Sequence, residues 1–332
     1  MSIFDTVISS RIRLARNIRN LSFPQNYKPF EADKIYEFTF KAGSAVKSVE
    51  NCETIVMSSL GEIDRQSLVE MHLVSPNLLK NKYGSVVLSA DKNISVMLSE
   101  EDHIREQCIT DGLSLDLAYK RLDRVDDALI NSLDIAFDDR LGFLTACPTN
   151  VGTGMRASVM MFLPALKMTH LLDDVLVKVA RSGGYTFRGA YGEGSDAEGN
   201  VYQLSNSYTL GLSEKDILDG VTKTAIQLAE CEDKARRKLL AEMTIPLKDK
   251  ICRSWGLISN AYIMSSSELM SLLSDVKLGI ILGILPSYDI KKLDRLAVLS
   301  GAAMLCQGVG ELSPEQRDIR RAAFVKSAIN GD

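Results

Sequence analysis

The chain has 332 residues, of which 45% are hydrophobic and 25% are charged, and its formal net charge is −4. This composition is typical of a soluble globular protein with one large domain or two ordinary ones. A slightly acidic balance gives no global indication of a nucleic-acid or membrane partner, so any basic site must be a local cluster.

The six cysteines form no Cys-x-x-Cys pair, and three histidines are too few to favour a structural zinc site. The N-terminus lacks the apolar core of a signal peptide. The longest apolar run, at 278–285, is too short to span a bilayer. We therefore expect a cytoplasmic protein with mostly buried, reduced thiols.

The first two thirds of the chain mix helical periodicity with short β-rich runs. In chain order, the patterns predict a helix at 33–49, a strand at 54–59, a helix at 64–74, strands at 85–90 and 94–99, a helix at 114–137, strands at 141–146, 156–163, 185–192 and 200–210, and a helix from Ser213 to about Arg237. Hairpin-like strands with few helical crossovers predict an α+β domain over residues 1–235, with an antiparallel sheet flanked by helices.

From about residue 236 the strand signals fade. Helical patterns occupy 265–285, 289–306 and 313–329, and Pro314 suits the first turn of the last helix. Residues 236–332 are therefore predicted to form a small all-α domain.

Arginines recur at predicted strand ends and turns. In SSRIRLARN (9–17), Arg11 and Arg13 alternate with aliphatic residues, so a strand would place both guanidinium groups on one face. A solvated basic edge strand explains this run taken alone. When Arg105, Arg156 and Arg188 are considered with them, a phosphate clamp becomes the favoured interpretation. The reason is that two N–H groups of one guanidinium can bind two phosphate oxygens at once. Phosphoryl transfer needs several cations of this kind to neutralise the negative charge of the transferred phosphoryl group.

Carboxylates accompany these arginines. Glu100, Glu101 and Asp102 directly precede His103 and Arg105, and Glu193 lies in a glycine-rich stretch. A solvated acidic turn explains either group taken alone. Combined with the arginines, they indicate a cationic substrate that is held by carboxylates against an anionic nucleotide.

The stretch TACPTNVGTGMRAS (145–158) could carry a nucleophile on a sharp turn, cradle a phosphate, or only bend between strands. No P-loop, His-Arg-Asp or Asp-Phe-Gly motif occurs in the chain, so arginines would have to hold any nucleotide. A hydrolase-type pair of Cys147 with a histidine is the rival interpretation. It is disfavoured because His72, His103 and His170 show no recognisable signature.

Several motifs together resemble the guanidino (phosphagen) kinase family. SSRIRLARN, SEEDHIR (99–105), TACPTNVGTGMRASV (145–159), RGAYGEG (188–194) and GNVYQLSN (199–206) follow that family's order and spacing, and the resemblance covers residues 9–235. Creatine and free-arginine kinases carry a helical domain ahead of the first motif, whereas this chain begins eight residues before it and continues well beyond the catalytic part. Both features are similar to bacterial protein-arginine kinases. Two positions depart from the pattern: Ser99 stands where the family usually has Asn, and Met160 where creatine kinases have His.

The resemblance implies ATP and Mg²⁺ as cofactors. Arg11, Arg13, Arg105, Arg156 and Arg188 would form the phosphate clamp. Ser10 and His72 would complete the ATP site, and Mg²⁺ would be held by the nucleotide phosphates rather than by a protein metal site.

The resemblance also implies the roles at the acceptor. An arginine guanidinium, with a pKa above about 12, must lose a proton to become a nucleophile. Glu193 would be the base that accepts this proton and Glu101 its partner in orienting the guanidinium. Cys147, expected to have thiolate character beside so many cations, would help to position the group without forming a covalent bond.

The run RDIRRA (317–322) places Arg317 and Arg321 one helical turn apart, with Asp318 beside them. An exposed charged helix face is the simpler interpretation. The run resembles, however, the phosphoarginine pocket of protein-arginine kinases, which implies an allosteric site and dimerisation in the helical domain.

The function implied is ATP-dependent phosphorylation of accessible arginine side chains in proteins, marking them for a Clp chaperone-protease. An activator protein and a homodimer or higher homo-oligomer are the further partners implied, with no nucleic acid and no membrane. A free-arginine phosphagen kinase and an inactive nucleotide-binding regulator remain alternatives, although intact Glu101, Glu193 and Cys147 argue against the second.

Overall fold

The computed structural model describes residues 5–181, 183–189, 197–242 and 244–331. The strands are β1 (Val7–Arg16), β2 (Cys52–Val56), β3 (Ser85–Ser89), β4 (Ile94–Leu98), β5 (Ile104–Asp111), β6 (Phe137–Asp138), β7 (Gly142–Phe143), β8 (Met155–Phe162), β9 (Tyr185–Gly189) and β10 (Val201–Asn206). The helices are α1 (Ala32–Val49), α2 (Glu62–Glu70), α3 (Leu115–Ser132), α4 (Pro164–Met168), α5 (Leu172–Arg181), α6 (Glu214–Ala241), α7 (Ile245–Asn260), α8 (Ser266–Ile281), α9 (Ile290–Leu299), α10 (Ala302–Cys306) and α11 (Pro314–Asn330).

The chain forms two compact units. The first unit consists of residues 9–159 and 205–223, and the second of residues 1–8, 160–204 and 224–332. Within the first unit the strand order is β2-β3-β4-β5-β1-β8, and the pairs from β2 through β5 to β1 are antiparallel. In the second unit β9 neighbours β10. The predicted fold class, α+β with an antiparallel sheet flanked by helices and a helical C-terminal region, is confirmed.

The core of the first unit is built on both faces of its sheet. Every residue of β3 and β4 is buried. Helix α3 packs on α1 and β5 with an apolar stripe that includes Leu115, Leu122 and Leu129. This is the stripe of i, i+3, i+4 and i+7 positions that the sequence predicts, because a helix can bury only one such face.

The helical part of the second unit has its own core. Helix α8 packs against α7 and α9, and α7 packs against α11. Fully buried Ile258 and Val276 lie at its centre, and each such side chain contributes about 1.5–3 kcal/mol of burial free energy. Helix α11 begins at a capping box, in which the Ser313 hydroxyl accepts from the Gln316 amide, and it ends before left-handed Gly331.

Several elements differ from the sequence prediction. Strand β5 and helices α4, α5 and α7 are absent from it, and the strand predicted at 141–146 is reduced to the two residues of β7. The helix predicted at 114–137 ends at Ser132, because Ile135 instead forms a bridge with Ile18. The last residues of the strand predicted at 185–192 lie outside the described ranges. Among the described helices, none is long and apolar enough to cross a bilayer.

Candidate active site

Four arginines of the first unit form one cationic cluster. Arg11 and Arg13 lie two residues apart on β1, on the face opposite buried Ile12 and Leu14, while Arg105 is the second residue of β5 and Arg156 lies on β8. Burial and their mutual repulsion lower pKa values within the cluster. Burial, then the charges of Arg105 and Arg156, lowers the pKa of Arg11 to about 10.

Burial and the same neighbours also hold the pKa of Arg13 well below its ordinary value. Its Nε finds no hydrogen-bond partner among the residues that the structure describes. Because a buried donor without an acceptor is costly, this cluster is organised to receive an anion.

A cavity of about 130 Å³ joins the cluster to the other predicted groups. Its lining brings together Arg13, Arg105, Arg156, Glu101 and Cys147. Three of the predicted motifs thus meet in one place, with guanidinium groups, a carboxylate and a thiol facing the same small volume.

The two adjacent glutamates have separate tasks. The side chain of Glu100 is fully buried, and its Oε2 lies 2.6 Å from Arg105 Nη1 while its Oε1 accepts from Ser75 Oγ at 2.6 Å. Glu101 pairs more loosely, 3.1 Å from Arg105 Nη2, and keeps 35% of its side chain exposed. Glu100 therefore fixes Arg105, a role that sequence reasoning missed, and Glu101 remains accessible to a ligand.

Cys147 lies in the loop that follows β7, directly before the 3-10 turn Pro148–Asn150. It is half-buried, and its Sγ lies 3.1 Å from the Thr149 hydroxyl, with either atom able to donate. The Thr145 hydroxyl and the Asn150 backbone amide donate to the Cys147 carbonyl at 2.7 and 3.0 Å, so the backbone that carries the thiol is fixed.

Three motifs are tied together by a buried amide–carboxylate junction that the sequence did not reveal. Asn17 Nδ2 donates to Asp102 Oδ1 at 2.7 Å, and the Ala146 amide donates to the same oxygen at 2.7 Å. Asn17 Oδ1 in turn accepts from the His103 amide at 2.9 Å. Asn17 belongs to the first motif, Asp102 to the second and Ala146 to the third, so this junction fixes their mutual geometry.

His103 is a structural residue. Its Nδ1 accepts from the Ile18 amide at 3.1 Å, and its Nε2 lies 2.8 Å from the Ser22 carbonyl. Burial lowers its pKa, which agrees with a neutral imidazole that has one donor and one acceptor nitrogen.

Arg16 binds the backbone of the Gly-Thr-Gly turn. It pairs with Asp126 through two contacts, Nε to Oδ1 at 2.9 Å and Nη2 to Oδ2 at 2.6 Å, and its Nη1 donates to the Thr153 carbonyl at 3.0 Å. Its guanidinium carbon lies 3.5 Å from the centroid of the Phe143 ring. The sequence contained one signal for this contact. Arg16 lies on the apolar face of β1, and a charged residue there requires a buried partner.

Gly154 fits against this support only because it has no side chain. Its φ is +64°, and an added Cβ would lie 2.7 Å from the Ala15 carbonyl oxygen and 2.6 Å from Arg16 Nη1. The turn therefore approaches β1 more closely than any L-residue with a side chain permits.

Gly154→Ala is therefore expected to destabilise the protein by about 1–3 kcal/mol more than a glycine replacement that meets no neighbour. Gly211→Ala is the matched control in the same unit, because Gly211 also has a positive φ, +79°, with nothing within 4 Å of its added Cβ. Urea unfolding of both variants measures the difference. Equal free energies of unfolding would contradict the close approach of turn and strand.

The remaining predicted ATP-site residues have different surroundings. The Ser10 hydroxyl donates to the Gly112 carbonyl at 2.7 Å and accepts from the Ser114 amide at 2.9 Å. His72 is exposed, and its backbone carbonyl accepts from Gln107 Nε2 at 2.5 Å. Arg188 lies exposed on β9 of the second unit. Glu193 lies outside the described residues.

The RDIRRA run begins on the first turns of α11 and is largely engaged with its own unit. Arg321 is buried, pairs with Asp318, and donates to the carbonyls of Met264 at 2.9 Å and Ser300 at 3.1 Å. Arg317, half-buried, donates to the Leu312 carbonyl at 3.1 Å. The pair of Arg321 and Asp318 thus anchors α11.

Family models match most of the chain. The one described as "ATP:guanido phosphotransferase, C-terminal catalytic domain" matches residues 34–235, and the one described as "Protein-arginine kinase McsB C-terminal domain" matches residues 244–331. The chain therefore belongs to the ATP:guanido phosphotransferase family.

Curated relatives indicate which class of phosphotransferase within this family the chain belongs to. The protein-arginine kinase of Caldanaerobacter subterraneus subsp. tengcongensis is 43% identical over 98% of this chain and 97% of its own length, and that of Bacillus subtilis is 42% identical over 98% of this chain and 90% of its own length. These relatives place the chain among the protein-arginine kinases, phosphotransferases whose acceptor is a nitrogenous group.

Solved structures agree on the fold. The duplicated taurocyamine kinase from Schistosoma mansoni with bound transition-state analogue components superposes with a TM-score of 0.60 at 28% identity, covering 74% of this chain and 38% of that one. A lombricine kinase superposes with a TM-score of 0.59 over 69% of this chain and 67% of its own, and at 24% identity it supports the fold alone.

Proposed function

We propose that this enzyme transfers the γ-phosphoryl group of ATP to the guanidinium of arginine side chains in proteins. The observation that carries this proposal is the single cavity lined by Arg13, Arg105, Arg156, Glu101 and Cys147. Cations suited to phosphate oxygens face a carboxylate suited to a guanidinium across a space large enough for the reacting groups. The names of the curated relatives support protein arginine as the acceptor.

On the phosphate side, Arg11, Arg13, Arg105 and Arg156 would grip the triphosphate, with Arg188 as a further contact. Because guanidinium donors cannot ligate a cation, Mg²⁺ would be bound through the nucleotide phosphates, where it supplies additional neutralisation of their charge. Within the described ranges no three His, Cys, Asp or Glu residues form a group that could hold it. Guanidinium groups placed before the reaction lower the barrier because charge on the transferring oxygens meets fixed donors.

On the acceptor side, Glu101 would hold the substrate guanidinium in line with the γ-phosphorus, and Cys147 would contact it from the neighbouring loop. Glu193 is proposed as the base. One guanidinium nitrogen bonds to the γ-phosphorus, the bond from that phosphorus to the bridging oxygen breaks, ADP leaves, and the nitrogen's proton passes to the Glu193 carboxylate. Orientation by two carboxylates converts a weak nucleophile into a positioned one.

Incubation with ATP and Mg²⁺, and with either an unfolded arginine-rich protein or free arginine, tests this function. We expect acid-labile phosphate on protein arginines, located by mass spectrometry under mild conditions, and little turnover of free arginine. Efficient labelling of free arginine alone would favour a phosphagen kinase. Nucleotide binding with no transfer to either acceptor would favour a regulator without catalytic activity.

We further propose that the phosphoarginine mark directs proteins to a Clp chaperone-protease, that an activator protein stimulates the enzyme, and that it forms a homodimer or higher homo-oligomer. A cytoplasmic location is supported by six free cysteines. Only Cys108 and Cys306 are buried, so the expectation of mostly buried thiols is wrong. Co-purification with a Clp chaperone from cells, dependent on ATP, tests the first of these proposals.

Arg317, Asp318 and Arg321 are proposed as an allosteric phosphoarginine site. Arg321 holds Asp318 beside half-buried Arg317 at the start of α11, so a carboxylate and a cation are offered together to a guanidinium and its phosphate. Calorimetric titration with phosphoarginine should give binding to the native chain and a loss in Arg317→Ala. Unchanged affinity for phosphoarginine in that variant would contradict the proposed site.

A further inference from the structure

The first unit contains a second, larger cavity of about 630 Å³. Tyr27, Tyr83, Lys28, Lys80 and Lys82 line it, and so does Glu101, which also lines the small cavity of the arginine cluster. Glu101 thus stands at the boundary between the two. A volume of this size lies within the range of about 300–1,000 Å³ that binding pockets occupy.

The strand register indicates which substrate enters the larger cavity. In the antiparallel pair of β1 and β5, Arg11 is opposite Ile109 and Ala15 is opposite Arg105. Glu101 precedes β5 and lies at the Arg105 end. The larger cavity, whose lining includes Glu101 and none of the four arginines, therefore lies at the Arg105 end of the cluster, and Arg11 lies at the other end.

We propose that this larger cavity binds the residues that flank the acceptor arginine in the substrate polypeptide, and that it selects carboxylates there. This proposal rests on the proposed function. The cavity is an acceptor subsite because an arginine side chain held at Glu101 has its own backbone on the side away from the phosphates.

The preference for carboxylates follows from the charges that remain available in the cavity. Lys28, Lys80 and Lys82 are exposed, and the described residues give none of their ammonium groups a carboxylate partner. Lys80 instead contacts the Asn77 amide oxygen at 3.2 Å, and Lys82 lies 4.7 Å from the centroid of the Tyr83 ring. The two glutamates of the cavity do not offset these lysines, since Glu100 is engaged by Arg105 and Ser75 and Glu101 is the proposed guanidinium ligand.

The aromatic wall of the cavity continues onto the surface of α1. The Tyr83 ring meets the rings of Tyr27 and Tyr36 edge-on, each at 5.7 Å between centroids. Tyr36 is 64% exposed, and Phe40, one helical turn further, is 77% exposed. This face suits the apolar side chains of an extended segment, so the occupant is an unfolded stretch of polypeptide rather than a small anion.

Three fluorescent peptides that differ only beside one arginine test the proposal: Asp-Arg-Asp, Ala-Arg-Ala and Lys-Arg-Lys. We measure Kd by anisotropy and kcat/KM for transfer, with the native enzyme, with Lys80→Glu/Lys82→Glu, and with the control Lys120→Glu/Lys223→Glu, two exposed lysines of the same unit outside the cavity. The native enzyme should prefer the Asp-flanked peptide over the Lys-flanked one by about ten-fold, as expected from a few accessible charge pairs. The cavity variant should lose or reverse this preference, and the control should keep it.

Equal Kd values for the Asp- and Lys-flanked peptides, or the same preference in the cavity variant, would overturn the proposal. A raised KM for ATP in the cavity variant would also overturn it, because the nucleotide would then be the occupant. If none of the peptides is phosphorylated but the Kd preference and its reversal are observed, the proposed function fails and the carboxylate-selective cavity stands.

Discussion

Replacement of Arg156 by alanine is expected to lower kcat by about three orders of magnitude, since arginines that stabilise a transferring phosphoryl group contribute about 10³–10⁵ in rate. Arg156 lies on β8 and lines the small cavity, and its Nη2 is 3.3 Å from the Ser205 hydroxyl. The charge of Arg156 is needed most in the transition state, when negative charge spreads over the oxygens of the transferred phosphoryl group. Steady-state turnover with an unfolded protein acceptor measures the effect, and circular dichroism checks the fold.

Two further variants sharpen this prediction. Arg124→Ala removes an exposed arginine of α3 in the same unit and should leave turnover unchanged. Arg156→Lys should recover little activity, because an ammonium group cannot make a planar two-point contact with phosphate oxygens. Full activity of the lysine variant would show that a point charge is sufficient and that the clamp geometry is wrong.

The second large effect is expected for Glu101→Gln, which should lower kcat by two or more orders of magnitude, about 3 kcal/mol in the barrier, while ATP still binds. Glutamine keeps the shape of the side chain but loses the charge that orients a guanidinium. Rapid-quench measurement of phosphoarginine formation, with the Kd for ATP determined separately, isolates the chemical step.

Glu100→Gln is the informative comparison for Glu101→Gln. Glu100 is buried against Arg105, a proposed phosphate contact, so its loss should act mainly on ATP affinity and stability. Near-normal turnover of Glu101→Gln, or the same pattern of losses in both variants, would refute the division of tasks between the two glutamates.

Short motifs predicted much of the site. Arg13, Arg105, Arg156, Glu101 and Cys147 were selected from local residue patterns and a family resemblance, and all five line one cavity. Alternation of arginine with aliphatic residues was enough to predict that one face of β1 carries both guanidinium groups, because a strand has a period of two. Their roles remain predictions, as does the base role of Glu193.

What the sequence did not reveal depends on contacts between distant residues. Arg16 meets Asp126 across 110 positions and Asn17 meets Asp102 across 85. The pairing of β1 with β5 and the packing of α3 on β5 bring these partners together. Strand β5 escaped prediction because buried Glu106 and Gln107 interrupt its apolar pattern. Burial, and then the neighbouring Asp126 carboxylate, raises the pKa of Glu106 well above its ordinary range, which explains how an acidic residue is tolerated there.

The balance of charge in the arginine cluster has a consequence for the order in which substrates bind. Arg11, Arg13, Arg105 and Arg156 contribute four positive charges against the two negative charges of Glu100 and Glu101, a net +2. A guanidinium that approached this site before the nucleotide would be repelled by the net positive charge. A bound triphosphate makes the net charge of the site negative, so the acceptor guanidinium is then attracted. The enzyme should therefore follow a compulsory order, with ATP adding first, and high salt, which screens the repulsion, should relax that order toward random addition.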